Sequence, residues 1–572
     1  MKNVKKITIL YFFIIFSTSL SFGSPINITS DHNSIRLGEM ASLEVEIPNN
    51  TAIKWMIEDE IYSTGRVFNF LPTEVGVYKI KVFRKQIEED SITITVIPFP
   101  VPQCSNTTIT ARGFDGKTKE FVCNIQDALE FIRVHNGGVV HLSSGLYPIN
   151  KQLILYNNTT LEGSIVGDKL ASTIRLEDNV KWSDRGKGGK WVSVPPLIIN
   201  DANFEKSQSL LHERLTSSNS NITVKNIIIN GNRDNQLRKW HPGKGHYVLL
   251  DFKDIEDLII SNVTLSNGLS DGVFIKTGRN ISISNSNISN MGHSAIFEVE
   301  VHNSTVRNNT IDVNVNSGIR FFGGSDFTIK DNNIFSSTNY GNYGIQISQA
   351  YSDSIPMKNI LVENNIISQT PYAGIALYAS TKGDIAEATI QNNIIVGCGS
   401  KAPNLANFPN TTIEESGGIN IQSFQKVIVK NNTLLNNYGS GIWLDNRFYD
   451  REVDFEGIDS IEKYATITNN IIVGSHSPEK NVYAIEKYSN TNSSGTTLNI
   501  SDNIFYNNQN NSYSSNITSN RSNFFNENPN FIDVSNMDLR LKSNSIALKN
   551  GNVAIGASQE MLERYKNISL EN

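Results

Sequence analysis

Three cysteines, 16 prolines and 19% charged residues are all that a chain of 572 residues carries of these types, and each scarcity removes a class of protein. The three cysteines have no metal-ligand spacing, so neither a zinc site nor a dense disulfide framework is expected. A net charge of −6 spread over so few charged groups argues against general affinity for nucleic acid. No stretch beyond the first 23 residues is apolar enough to span a bilayer. Helical periodicity is almost missing after residue 140, which argues against a fold of alternating strands and helices.

What is present is repetition. The phrases SDGVFIK, HSAIFEV, NSGIRFF, NYGIQIS, YAGIALY, SGGINIQ and GSGIWLD make Gly272, Ala295, Gly318, Gly344, Gly374, Gly418 and Gly441 equivalent. Their spacing of 23, 23, 26, 30, 44 and 23 residues is one basic turn with loops inserted into some copies, the period of a parallel β-helix. A second register follows the first, in which Asn309, Asn332, Asn365, Asn393, Asn432, Asn470 and Asn503 end β-branched stretches. Asparagine tolerates left-handed backbone and bonds its own main chain, so these positions are expected to be bends whose amides stack into a ladder.

Around this repeat the chain divides. Residues 1–23 read as an export signal, with Lys2, Lys5 and Lys6 before the apolar run 7–16, or else as an uncleaved anchor. The mature chain is therefore expected to be secreted or held at the cell surface. Residues 25–98 carry alternating strands with Trp55 as a core residue, and EVGVYKIKV resembles the late strands of immunoglobulin-like or PKD-like β-sandwich modules. Pro98, Pro100 and Pro102 open a stiff linker over 99–110, and the solenoid is expected over 111–560. A short amphipathic helix near 124–134, NIQDALEFIRV, is expected to cap its first open edge. Cys104 and Cys123 are candidates for one bridge, with Cys398 left alone.

The helix, the following GGVVHLSSGLYPI and the later TLEGS resemble the opening segment of pectate-lyase-like right-handed β-helix proteins. NPNFIDVSNMDLRLKSNSIALKNGNVAIGAS is similar to the closing segment of many bacterial and archaeal members. The resemblance covers about residues 104–558 and implies the right hand of the solenoid. The fold class expected is thus all-β, a right-handed parallel β-helix preceded by an immunoglobulin- or PKD-like sandwich.

Side chains alternate along a strand, so the residue two after each glycine position points outward. That column reads Asp251, Phe274, Phe297, Arg320, Gln346, Ala376, Asn420 and Trp443, and just before it stand Asp271, His293, Ser294, Asn316, Ser317, Asn342 and Tyr343. Acids, a histidine, an arginine and aromatic rings thus converge on the rungs from Asp251 to Arg320, the mixture a sugar-binding groove needs. GLSDGVFIK, MGHSAIF and NSGIRFF resemble three successive rungs of archaeal β-helix proteins that include the disaggregatases of methanogens, which degrade a cell-surface heteropolysaccharide. Asp271, His293 and Arg320 match that pattern; Ser294 departs from the acidic residue the resemblance implies.

These residues allow two chemistries. Glycoside hydrolysis needs two carboxylates, for which Asp251 and Asp271 are candidates as a pair one rung, about 4.8 Å, apart, with Glu298 as an alternative partner and His293 as acid or base. The parity of Glu298 points it inward unless its strand is bulged. A polysaccharide lyase or uronate epimerase needs a base, His293 or Lys276, and a charge neutraliser, Arg320. Substrate contacts are expected from Arg320, Lys276, Phe274, Gln346 and Trp443, and from Trp240 and His246 in the basic insertion NGNRDNQLRKWHPGKGHY. The acidic insertion 445–459 offers carboxylates that could take Ca2+, but its spacing lacks the pattern of a defined calcium loop, so a solvated charge run is the expectation and no metal or cofactor is assigned. The reading is an enzyme on an extracellular polysaccharide, hydrolase preferred through the resemblance. A glycan-binding surface protein without turnover is the alternative.

Overall fold

The structure, a computed structural model, describes residues 27–30, 34–36, 41–45, 53–57, 60–63, 67–70, 76–84, 87–97, 107–178, 180, 197–203, 218–236, 248–338, 341–348, 357–378, 385–399, 416–422, 424–445, 463–477, 481–487, 496–514, 522–549 and 551–571. The export signal, the linker prolines, Cys104, Trp240, His246 and residues 446–459 lie outside the described residues. The chain divides into two compact units, 1–100 and 101–572.

In the first unit a three-stranded and a five-stranded sheet share one core. Trp55, Leu43, Ile80 and Ile94 are fully buried there, and Trp55 meets Phe68 with ring centroids 5.6 Å apart. The alternation of Ile53–Ile57, buried at every second residue, is what puts one face of each strand against the other sheet.

The second unit is a parallel solenoid, each strand pairing with its counterpart one turn later. Val273 pairs with Ile296, Ile296 with Ile319, Ile319 with Ile345, Ile345 with Ile375, Ile375 with Ile419 and Ile419 with Ile442. These residues each follow one of the seven repeat positions, so the inserted loops leave the register intact. Glycine recurs there because rungs approach closely: a Cβ on Gly344 would stand 2.6 Å from the carbonyl oxygen of Gly374. In strand Val273–Ser284 the side chains of Val273, Ile275, Ile281 and Ile283 enter the core while Phe274 and Lys276 face out. One continuous apolar core therefore runs through the winding.

The asparagine ladder is present and buried. Oδ1 of Asn393 accepts from the backbone N–H and the Nδ2 of Asn365 at 2.9 and 3.0 Å, and Asn393 donates in turn to Asn432. The same double bond joins Asn309 to Asn332 and Asn470 to Asn503. The left-handed residue at the bend is not the ladder asparagine, however, but the residue before it: Asn308, Asn364, Asn392, Asn431 and Asn469 have φ between 52° and 56°. The ladder residue uses its amide to satisfy backbone groups of neighbouring rungs.

Helix Ile125–Val134 begins at Asn124, whose side chain accepts the Asp127 N–H at 3.1 Å, and packs Ile125, Ala128, Leu129 and Ile132 on the core. A second helix, Gln559–Glu571, was not expected. It sets Met561, Leu562 and Tyr565 against Ile366, Ile394, Leu435 and Ile471 on the flank of the winding. Arg564 donates to the carbonyls of Asn364 and Asp331. Cys123 is disulfide-bonded and Cys398 is a free, buried thiol whose pKa burial pushes up to about 11.

Candidate functional site on the early rungs

The outward column has the register expected from the repeat. Asp251 pairs with Phe274, Phe274 with Phe297, Phe297 with Arg320, Arg320 with Gln346, and the column continues through Ala376, Asn420 and Trp443. Ordinary strand pairing thus carries residues scattered over 192 positions of sequence to one straight line.

Four residues before Phe297, the chain turns into its strand through His293. Its Nδ1 lies 2.8 Å from Oδ1 of Asp271 on the preceding rung, and the same oxygen accepts the Ser294 N–H at 2.9 Å. Its Nε2 lies 2.7 Å from Nδ2 of Asn316 on the next rung. The Asn316 amide is turned by its own partners, since its Oδ1 accepts from Ser317 Oγ at 3.2 Å and Asn342 Nδ2 at 3.5 Å. Asp271, His293, Asn316 and Asn342 therefore form one hydrogen-bonded line across four rungs, whose contacts suit a proton on Nδ1 facing the carboxylate and an Nε2 accepting from the Asn316 amide. The Asp271 side chain is 8% exposed and that of His293 26%, so the acid is sheltered and the imidazole reachable.

Aromatic rings floor the site. Phe274 and Phe297 meet edge to face at 5.3 Å, and the His293 ring stands 6.2 Å from Phe297. The Arg320 guanidinium lies over Phe297 at 4.6 Å and over Phe322 at 5.2 Å, a stacked cation next to the imidazole's own neighbour. Gln346 accepts from Ser317 at 2.8 Å, and Lys276 is exposed two residues beyond Phe274.

Other expected members do not join this group. Glu298 points into the solenoid and is fully buried, because its strand is not bulged and parity prevails. Burial pushes its carboxyl up to about 8, against a lowering hydrogen bond from Ser304 Oγ at 3.0 Å. Asp251 and Asp271 do not stack at one rung spacing: Asp251 stands opposite Phe274, three residues on from Asp271, an offset of about 11 Å between backbones by strand geometry. Trp443 lies on the same line but four rungs beyond Arg320 and is 2% exposed. Ser294 is fully buried, its Oγ without a hydrogen-bond partner among the described residues. Among the described residues no group of three or more His, Cys, Asp or Glu could hold a metal ion, and no helix is long and apolar enough to cross a membrane. Asn316 was the member that sequence reasoning passed over; its position in the His293 column was the available signal.

The fold and this register define a right-handed parallel β-helix protein. Residues 247–415 match the family model of the right handed beta helix region, and residues 357–560 match the model described as disaggregatase related. The candidate rungs fall within the first model and before the second. Among solved structures, the A-module of the Azotobacter vinelandii mannuronan C-5 epimerase AlgE4 is 18% identical, covering 70% of this chain and 94% of that one with a TM-score of 0.50. The AlgE6 A-module of the same organism is 16% identical, covering 70% and 93%, at a TM-score of 0.47. A family 28 exopolygalacturonase of Yersinia enterocolitica is 12% identical, covering 87% and 98%, at 0.39. At these identities the likeness is one of fold. No curated protein matches the chain in sequence.

Proposed function

We propose that the chain is an extracellular carbohydrate-active enzyme that works on a uronate-containing polysaccharide lying across the rungs from Asp251 to Arg320. The observation that carries this reading is the Asp271–His293 pair with the stacked Arg320 beside it. Asp271 fixes the proton on Nδ1 and leaves Nε2 as the basic atom, covered at rest by the Asn316 amide. A substrate that draws Asn316 aside meets that lone pair. Arg320 then binds the uronate carboxylate and offsets the charge that develops when the neighbouring C–H proton is removed. The proton passes to Nε2, and the electron pair either expels the glycosidic oxygen, which takes a proton from water, giving an unsaturated uronide, or takes a proton from water on the opposite face, giving the epimer.

Hydrolysis, which the sequence resemblance favours, is the second reading, and Asp251 is the residue that supports it. It is a second carboxylate on the same face, 8% exposed. Its offset from Asp271 suits a pair with water between them better than the closely spaced pair of a retaining glycosidase. The disaggregatase-related match is consistent with this chemistry without bearing on the rungs concerned.

The test is incubation of the purified chain with neutral and uronate-containing polysaccharides, following chain length, reducing ends, uronide absorbance and sugar configuration together. Absorbance or inversion at C5 supports proton abstraction by His293. New reducing ends without absorbance support hydrolysis. No change in any glycan that the protein binds overturns the enzyme reading in favour of a surface lectin.

A further inference from the structure

Around the corner from the Asp271 face, the early rungs carry a cavity of about 630 Å3, lined in part by Asp254, Thr277, Arg279, Glu300 and His302. It shares Asn157 and Asn219 with a second cavity of about 300 Å3 beneath the capping helix. That cavity shares Asn158 with a third, of about 350 Å3, flanked by Phe114, Asn221, Asp257 and Ile259. Shared walls make the three a single trough along the shoulder of the solenoid, begun at the first turn and ended at strand Ile296–Arg307.

Asp254, Thr277 and Glu300 occupy one corner in three successive rungs, with φ of 50°, 59° and 53°; in the next rung that corner is Gly323, at φ 81°. Glycine is thus sufficient for the turn, and a β-branched or long side chain costs about 1–2 kcal/mol in this conformation. All three of these corners line the cavity, and two of them, Thr277 and Glu300, are of types that left-handed backbone disfavours.

The chemistry of the lining selects the ligand. Amides and hydroxyls of Asn157, Ser220 and Asn221 offer both donors and acceptors, and Asn157 Oδ1 is already fixed by the Ser220 N–H at 2.9 Å. Phe114 and Ile259 are 67% and 46% exposed at one end, flat apolar surfaces open to a sugar ring. Five carboxylates, Asp201, Asp254, Glu256, Asp257 and Glu300, outnumber two guanidinium groups, Arg133 and Arg279, so an anionic chain is disfavoured.

We propose that this trough is a second glycan-binding site, separate from the Asp271 face, that holds neutral sugar residues. It requires no turnover on the other face, and shares with the preceding proposal only the expectation that the protein meets polysaccharide.

The experiment is calorimetric titration of the full chain with neutral hexasaccharides of glucose, galactose and mannose, with a hexauronate as the contrasting probe. At least one neutral hexasaccharide is expected to bind, and at least tenfold more weakly to Phe114→Ala and to Glu300→Gly. The glycine variant relaxes its corner, so a loss there does not come from misfolding. His293→Gln is expected to bind the neutral probe as the wild type does. Absence of neutral binding, equal binding by both trough variants, or loss in His293→Gln overturns the proposal. A protein without turnover that retains trough-dependent binding overturns the enzyme reading alone.

Discussion

Asp271 and His293 stand on successive rungs, 22 residues apart in sequence, with a carboxylate oxygen 2.8 Å from the imidazole Nδ1. The contact is made without a loop or helix to position it, because each residue occupies the turn just before its strand and the strands are in register. The ring is held by neighbours on both sides, which limits the rotation that would otherwise blur a proton-transfer geometry.

Replacing Asp271 by Asn is expected to lower kcat by about 10²–10⁴-fold while leaving oligouronate binding nearly intact, since the amide no longer enforces the Nδ1–H tautomer. Steady-state kinetics alongside calorimetric binding check this. Undiminished turnover would remove the pair from the chemistry.

Arg320→Lys is expected to weaken uronate binding about tenfold, equivalent to about 1.4 kcal/mol, because an ammonium cannot lie flat over Phe297 and Phe322 as the guanidinium does. Neutral glycans would bind both forms alike. The measurement is titration with neutral and acidic hexasaccharides at two salt concentrations.

Glu298 predicts a pH dependence of stability. Its folded carboxyl, raised by burial to about 8 from the ordinary 4.5, keeps its proton where the unfolded chain has lost it. Stability from this group is therefore full below about pH 4.5, falls as pH rises and levels off above about pH 8, a loss of up to about 5 kcal/mol. Glu298→Gln is expected to flatten that slope and to be the more stable form at pH 8. Thermal unfolding of both proteins at pH 4.5, 6 and 8 decides it, and parallel curves would refute it.

Asn393→Ala removes the acceptor of two bonds from Asn365 and the donor to the carbonyls of Val362 and Gln391. A loss of about 3 kcal/mol is expected in urea unfolding, from buried groups left unsatisfied. Asn308→Gly, at a left-handed bend on the surface, is expected to change stability by less than about 1 kcal/mol.

Periodicity carried most of the architecture into the sequence. The repeat positions from Gly272 to Gly441 and the ladder asparagines follow directly from steric contact and backbone satisfaction between rungs, so the residue types declare the positions. Helix Gln559–Glu571 escaped notice because its apolar stripe is short and serves a flank rather than the repeat. The site was legible where it lay in adjoining columns, as with His293, one position beside the Asp271 column on the next rung. It was misjudged where distance along the strand mattered, as with Asp251, and where covering mattered, as with Trp443. The trough left no signal at all, since its walls come from corners such as Asn158, Asn221 and Asp257 that are ordinary turn residues one by one.

The three rungs that hold Asp271, His293 and Arg320 have the bare 23-residue turn with no insertion between their repeat positions. In such a winding the axial part of the separation between His293 and Arg320 is a whole number of steps of about 4.8 Å. Gain of one whole turn between them would lengthen that part by one step, at the cost of the contacts that now cross the two rungs, His293 with Asn316 and Arg320 with Phe297. Copying of gene segments can therefore shift the spacing of an outward column by a whole step at once, where a globular surface would need many concerted substitutions.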